Sequence, residues 1–329
     1  MNHRKKSRAF TRIDLLAGVV SVAVLCALLA LSGQRSRSVA SLGVTIANLR
    51  QIGDAFASYG GDSQDRVLGF SWAPGNCPSQ YPDLQFAPTA IEAAANQAVD
   101  IMRRRSGNNA IQKISSWIPY TSYWNLVAAD YLNVPLPSKL FQSPEDAGLL
   151  ARASDPANWH TGTINDRWAF STSYEVTAGC WGGPDSGPNA IYQDGQSYNI
   201  FFIPGGWAAQ PRTMSEFAFP AAKALAFDRF QWHFGPRAGY FMYPEARVPV
   251  CAADGSVRVR AGKNSNPGWR PSSPTAPFAS NIIYNPPSSG LIVPVPPPLI
   301  NANGDIVQGR LRYTRAGLGG RDFDGPEVQ

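Results

Sequence analysis

The chain has 329 residues, a formal net charge of +6 and three histidines. Seven Lys or Arg against the single acid Asp14 lie within the first 38 residues, so the rest of the chain carries no net charge. The basic balance therefore belongs to a short leader rather than to a nucleic-acid surface, and we expect no nucleic-acid partner. The chain contains no GxSxG, Walker, GxGxxG or HExxH pattern, so we expect it not to be an enzyme.

A long helix is predicted over residues 10–61, in two halves. Residues 15–31 are apolar or small and uncharged, which suits hydrocarbon on every face. Apolar residues then recur at steps of three and four, which predicts a stripe along one side of a helix: Leu42, Ile46, Leu49, Ile52, Phe56 and Tyr59. Polar residues fall between them: Ser41, Thr45, Asn48, Gln51 and Asp54. The first half is predicted to lie in lipid and the second against a folded domain, with Gly60 and Gly61 ending the helix.

The charges around the apolar stretch predict its orientation. Lys and Arg precede it, so the positive-inside rule keeps the leader in the cytoplasm and places the domain of residues 62–329 outside. We therefore expect a single-pass protein of the inner (cytoplasmic) membrane. The alternative is a cleaved secretory signal. Against that alternative, the helical pattern continues through the region where such a signal would be cut.

The junction at residues 8–16 is the most specific pattern in the chain. A basic leader of residues 1–9 ends in Ala9, and Phe10, Thr11 and Asp14 follow immediately before the apolar stretch. This resembles the N-terminal cleavage and methylation signal of type IV prepilins and type II secretion pseudopilins. The resemblance implies that prepilin peptidase cuts between Ala9 and Phe10 and methylates the new amine. The family usually has Gly at the position of Ala9 and Glu at that of Asp14. An acidic side chain in a membrane helix is costly unless a cation, here an amine of its own or of a neighbouring subunit, neutralises it.

Two later segments extend the resemblance to prepilin-like proteins. Residues 48–59, with Asn48, Gln51 and Gly53, are similar to the segment that ends the N-terminal helix in that family, and residues 248–257 are similar to its late Ala-Asp-Gly hairpin. The family often has Cys where this chain has Ser143, so no disulfide is carried over. The resemblance is strong over the first 60 residues and patchy beyond them.

Further elements are predicted along the domain. Thr89 and Glu92 have capping-box spacing at the start of a helix over residues 89–105, whose last turn holds Arg103, Arg104 and Arg105. We interpret that triplet as a solvated turn whose positive charges favour the negative end of the helix dipole. The alternative is that it binds an anionic lipid or polymer. Residues 123–132 predict a short helix. Residues 198–203 and 222–230 predict strands.

A hairpin is predicted over residues 247–261. Apolar residues alternate along both arms around Asp254 and Gly255, a pair typical of tight turns, and Arg258 and Arg260 are expected to face water. Residues 263–300 are rich in Pro and Ser and are predicted to be an extended loop, because Pro lacks the amide donor that a sheet interior needs. Residues 310–313 predict an edge strand.

Candidate sites outside the leader are few. Asp185, Asn189 and Asp194 in a Gly-rich loop could offer oxygen ligands to calcium, and Asp322 and Asp324 are a weaker version of that idea. No other cofactor is expected.

Asp228, Arg229 and His233 form a possible acid/base group, with a strand end at the surface as the simpler interpretation. Cys77, Cys180 and Cys251 permit one disulfide whose pairing the sequence does not determine.

These features predict an α+β, pilin-like fold: a long N-terminal helix, half in the membrane, packed on an antiparallel sheet with long loops. The expected function is that of a structural subunit, processed by prepilin peptidase and assembled with other pilin or pseudopilin subunits into a type IV pilus or a type II secretion pseudopilus. The alternative is a membrane-anchored ectodomain that acts as a ligand- or polysaccharide-binding module or as an enzyme.

Overall fold

The structure is a computed structural model that describes residues 12–115, 117, 119–156, 169–181, 212–235, 237–268, 281–286, 296–312 and 314–327. For residues 12–37 it describes the backbone and, of the side chains, Val20; for residues 120 and 121 it describes the backbone alone. The chain divides into two compact units, Met1–Gly43 and Val44–Gln329. Helix α1 (Arg12–Asp62) forms the described part of the first unit and continues into the second.

In the second unit, α1 packs on a sheet through part of the predicted stripe. Leu49, Ile52 and Phe56 are buried, whereas Ile46 and Tyr59 are half-buried. The helix extends through Gly60 and Gly61 to Asp62, slightly beyond the predicted end. Among the polar residues between the apolar ones, Thr45 and Asn48 are also buried.

Helix α2 (Ala90–Ser106) confirms its predicted bounds to within one residue. The Thr89 side chain accepts a hydrogen bond from the Glu92 amide at 3.2 Å, which satisfies one of the unpaired donors at the helix start. Gly107 ends the helix in the left-handed conformation, with φ of 71°. Both signals are local, which is why the sequence located this helix well.

Shorter helices follow α2. The helix predicted over residues 123–132 is divided into α3 (Tyr120–Tyr123) and α4 (Asn125–Tyr131). Helix α5 (Ala147–Ser154) follows, and the Asp146 side chain before it accepts a hydrogen bond from the Leu149 amide at 3.0 Å. Trp124, between α3 and α4, is fully buried against Phe56 of α1, with ring centroids 5.6 Å apart. Before α2, β1 (Gly75–Asn76) and β2 (Phe86–Ala87) form a small antiparallel pair.

The main sheet is antiparallel, with four strands in the order β3-β4-β5-β6. Its strands are β3 (Tyr174–Val176), β4 (Ala224–Asp228), β5 (Arg247–Ala252) and β6 (Val257–Ala261). β4 confirms a strand within predicted residues 222–230, whereas predicted strand 198–203 lies outside the described residues. One face of the sheet packs on α1 and the other on the C-terminal segment.

The hairpin β5–β6 exists, and its loop is one residue longer than a two-residue turn at Asp254 and Gly255. Gly255 has φ of 81° and ends a three-residue loop, so Cys251 pairs with Val257, and Val250 pairs with Arg258. Residues directly opposite in an antiparallel pair share a face, so the valines of β5 lie on the same face as the arginines of β6. Arg258 is exposed, but Arg260 is half-buried and stacks on Phe323 at 4.8 Å, so the prediction that both face water was wrong for Arg260.

The Pro-rich segment was wrongly predicted to be loop throughout. β7 (Asn281–Tyr284) lies inside it and pairs antiparallel with β8 (Asp305–Gln308). The four residues of β7 contain no Pro, and Tyr284 is fully buried, stacked on Tyr240 with centroids 4.6 Å apart. The edge strand predicted at residues 310–313 is also wrong, since the strand ends at Gln308 and residues 310–312 form a turn.

Among the side chains that the structure describes, no helix has a long enough apolar stretch to cross a membrane. The apolar residues 15–31 belong to α1, but their side chains, Val20 apart, lie outside that description. The predicted membrane half of the helix therefore stays a prediction.

Candidate functional site

The predicted processing residues lie largely outside the described part of the chain. Ala9, Phe10 and Thr11 precede it. Asp14 is in the first turn of α1, where its backbone is described and its side chain is not. Cleavage between Ala9 and Phe10 and the role of Asp14 stay predictions.

Some of the calcium candidates also lie outside the described residues, and the others are paired with cations. Asp185, Asn189 and Asp194 lie outside the described residues. Asp322 binds Lys223, and Asp324 forms a bidentate pair with Arg260 at 3.0 and 2.6 Å, so both carboxylates are paired with cations. Across the described ranges, no three His, Cys, Asp or Glu side chains converge in a way that could hold a metal ion.

A group of polar side chains is buried between α1 and the sheet, and we call it the helix-side polar cluster. Its members come from α1, the segment before α5, β3, β4 and the turn after β4: Thr45, Asn48, Ser143, Tyr174, Asp228 and His233. All six are buried, and Thr45, Ser143, Tyr174 and Asp228 have no exposed surface. This cluster joins α1 to the rest of its unit through side-chain hydrogen bonds.

Asn48 connects α1 to the loop before α5 and to the sheet. Its side-chain amide donates to the carbonyl oxygens of Lys139 and Gln142 at 3.2 and 3.3 Å and lies 3.1 Å from the Tyr174 hydroxyl. Burial raises the pKa of Tyr174, so this hydroxyl stays protonated. One helix residue thus fixes the position of α1 against two other segments.

Asp228 and His233 lie together at the other end of the cluster. His233 Nε2 is 3.0 Å from Thr45 Oγ1 and 3.5 Å from Asp228 Oδ2, and Thr45 Oγ1 is in turn 3.4 Å from Ser143 Oγ. Beyond the His233 contact, neither carboxylate oxygen of Asp228 has a hydrogen-bond partner among the described residues. Burial raises the pKa of Asp228 to about 6, and His233 opposes that shift.

The geometry explains what this pair can do. The simpler interpretation, a strand end at the surface, was wrong, because Asp228 is fully buried. An acid/base relay needs the carboxylate on one ring nitrogen and the reacting group on the other. Here Asp228 and Thr45 both approach Nε2, and no member of the cluster is exposed. The cluster is suited to holding α1 in place rather than to catalysis.

The arginine triplet at the end of α2 is only partly solvated: Arg104 is exposed and Arg105 is half-buried, whereas Arg103 is buried, so the prediction was wrong for Arg103. Arg103 is buried and forms a bidentate pair with Asp83 at 2.8 Å for both bonds. Arg104 and Arg105 share Asp130, and Arg104 also binds Asp100 at 2.7 Å. Each guanidinium is committed to a carboxylate within the domain, which leaves little free charge for an anionic polymer.

Cys77, Cys180 and Cys251 are all free thiols and all buried. The predicted possibility of one disulfide among them is therefore not realised. Burial raises the pKa of Cys180 and that of Cys251, to about 12 in the latter, so both stay protonated. The Cys251 sulfur instead fills the space beside Gly53, where an added Cβ would lie 2.8 Å from it.

The sequence pattern contained a signal for the cluster that the hydrophobic stripe obscured. Thr45, Asn48, Ile52 and Ala55 follow one another at steps of three and four and share the buried face of α1. No protein-family model, curated protein or solved structure matches the chain. Function therefore has to be argued from its own residues.

Proposed function

We propose that the chain is a pilin-like or pseudopilin-like structural subunit, inserted in the inner membrane by its N-terminal helix. Prepilin peptidase would remove residues 1–9, and other subunits would pack on the apolar half of α1. The assembled product would be a type IV pilus or a type II secretion pseudopilus, with the domain after residue 61 on its outer side. No catalysis and no nucleic-acid partner are assigned.

The observation that carries this proposal is the composition of α1. Asp14 lies near the start of α1. The second half of the same helix is held against the domain by the hydrogen bonds of Thr45 and Asn48 and by the apolar residues beside them. A helix that serves only as a tether needs no such anchor. A subunit whose helix transmits force between a filament core and a domain does need one, because the helix must not slide against the domain.

The first test is the mature N-terminus of the protein recovered from its native membrane. Intact-mass and N-terminal peptide analysis should find a chain that begins at Phe10 with one added methyl group. A chain that begins at Met1 would leave a plain anchored ectodomain. A start beyond Leu31 would mean an ordinary signal peptide, and either result refutes the proposal.

The second test separates assembly from anchoring. Asp14→Ala should abolish incorporation into filaments, measured by shearing and sedimentation, and leave the protein in the membrane fraction. Asp54→Ala is the matched control, since Asp54 is an exposed acid on the same helix. Equal incorporation of both variants would refute an assembly role for Asp14.

The second candidate function is a membrane-anchored ectodomain that binds a ligand. A small, solvent-open cleft of about 50 Å³ beside α5 favours it, because Arg152, Arg229 and Trp232 are among the residues that line the cleft. Such a lining suits a ligand with a carboxylate and an apolar face. Asp146 also lines the cleft, and its carboxylate reduces the net positive charge there. That carboxylate accepts hydrogen bonds from the Leu149 amide and the Ser173 hydroxyl.

A further inference from the structure

Lys223 and Asp322 lie together on the face of the sheet opposite α1. Lys223 immediately precedes β4, and Asp322 belongs to the C-terminal segment that covers this face. Their side chains are only 1% and 2% exposed. Burying two opposite charges costs several kcal/mol for each ion, so a sealed Lys–Asp pair needs a physical explanation.

The contacts of the Asp322 carboxylate show how it is held. Its Oδ1 accepts a hydrogen bond from the Thr314 hydroxyl at 2.7 Å, and its Oδ2 accepts one from the Ala224 amide at 2.9 Å. Lys223 Nζ is farther away, at 3.4 and 3.2 Å from the two oxygens. A charge-assisted N–H···O bond is usually about 2.7–2.9 Å long, so Lys223 pairs with this carboxylate more loosely than the two other donors do, and Lys223 also donates to the Thr314 hydroxyl.

That arrangement resembles a reacting pair more than an optimised ion pair. Two donors hold the carboxylate oxygens, while the amine nitrogen lies 3.4 and 3.2 Å from those oxygens and therefore beside the carboxyl carbon that joins them. We propose that Lys223 and Asp322 become joined by an intramolecular amide bond between Nζ and the side-chain carboxyl carbon. This inference does not rest on the proposed assembly function.

The reaction balances with the groups present. For the bond to form, Lys223 must give up one proton and Asp322 must gain one, so that a neutral amine meets a carboxylic acid. The amine attacks the carboxyl carbon and forms the C–N bond, and the Ala224 amide and Thr314 hydroxyl stabilise the negative charge that develops on the oxygens. The C–O bond to the acid hydroxyl then breaks, and the hydroxyl leaves as water. No oxidant or other reactant is needed.

The proton transfer is assigned to Glu327, which follows Asp322 by five residues in the C-terminal segment. Its Oε1 is buried and has no hydrogen-bond partner among the described residues. Burial raises the pKa of Glu327 to about 7, with Asp322 adding to the shift and Arg315 and Lys223 opposing it. A carboxyl that is partly protonated near neutral pH can accept the proton that the attacking nitrogen loses and deliver it to the leaving hydroxyl.

The bond would close a covalent loop between the start of β4 and the C-terminal segment. The segment in between contains β5, β6, β7 and β8. Cross-links of long loops restrict the unfolded chain most, so the tail could not be pulled from the sheet without breaking a covalent bond.

The test is a tryptic map of the full-length protein. Acylated Lys223 resists trypsin, so residues 213–229 should remain one peptide, joined to residues 322–329, with a mass lower than their sum by one water. Fragmentation should place the link between Lys223 and Asp322. Cleavage after Lys223 with a free peptide 322–329 overturns the proposal, as does a link to Asp324 or Glu327.

Variants test the proposed roles. Lys223→Arg keeps the charge and should abolish the link. Glu327→Gln should abolish it or reduce it at least tenfold at equal incubation, in a chain whose circular dichroism is unchanged. Lys263→Arg, on a surface turn, is the control and should remain fully linked. Full linkage of the Glu327→Gln chain would overturn the proton-transfer role.

Discussion

The two faces of the main sheet are covered in contrasting ways. On one face, α1 packs through apolar residues and the helix-side polar cluster, whose hydrogen bonds involve mostly neutral groups. On the other face, two charged residues of the C-terminal segment pair in the interior with two residues of the sheet region, in what we call the C-terminal charge cluster: Arg312 with Glu175, and Asp322 with Lys223. Removing one partner of a neutral hydrogen bond costs less stability than removing one partner of a buried ion pair. We therefore expect substitutions on the helix face to lower the free energy of unfolding less than substitutions on the other face.

The largest expected effect is on the charged face. Arg312 binds Glu175, and both side chains are almost fully buried, at 2% and 0% exposure. Among the described residues, Arg312→Ala leaves Glu175 with the 3.5 Å contact to Arg229 as its one ion pair and should lower the free energy of unfolding by about 3–5 kcal/mol. Denaturant unfolding measures this. Arg258→Ala, on the same face but exposed, should change stability by less than about 0.5 kcal/mol. Equal effects of the two variants would remove the contrast between the faces.

The next effect is a pH dependence on the helix face. The pKa of Asp228 is about 6 in the folded protein and 3.8 in the reference state, so the folded state holds the proton more tightly. The stability contributed by the protonated carboxyl is present below about pH 4 and is lost as pH rises through 6, by about 2–3 kcal/mol in total. Asp228→Asn should remove that loss and be more stable than wild type at pH 7. An unchanged pH profile of unfolding would contradict the raised pKa.

A third prediction concerns Asn48. Asn48→Ala leaves the carbonyl oxygens of Lys139 and Gln142 without their buried donor and should cost about 1–3 kcal/mol. Gln51→Ala, on the exposed side of the same helix, is the control and should be nearly neutral. Thermal unfolding of the two variants side by side measures the difference. A neutral Asn48→Ala would show that apolar packing alone holds α1.

The smallest effect is expected at Gly53. An added Cβ would lie 2.8 Å from the Cys251 sulfur, so Gly53→Ala should cost about 1–2 kcal/mol despite the better helix propensity of Ala. Cys251→Ala should relieve the clash, so the double variant should be more stable than the sum of the single effects implies. Gly61→Ala, with nothing within 4 Å of the added Cβ, is the matched control. Additive effects at Gly53 and Cys251 would contradict the close approach of helix and sheet.

The sequence by itself determined the elements whose signals are local. Thr89 and Gly107 bound α2, and Asp254 and Gly255 mark the hairpin turn, because capping and left-handed turns depend on a few consecutive residues. The proposed processing site at Ala9 and Phe10 is a local pattern of the same kind and rests on sequence alone.

Only the tertiary structure decided which face each residue occupies. A three-residue loop ending at Gly255 shifts the hairpin register by one, and a shift of one reverses the faces of a strand. Thr45 and Asn48 are buried because Asp228, His233 and Tyr174 lie opposite them, from positions more than 120 residues away along the chain. Such pairings depend on how distant segments meet, and no local pattern encodes them.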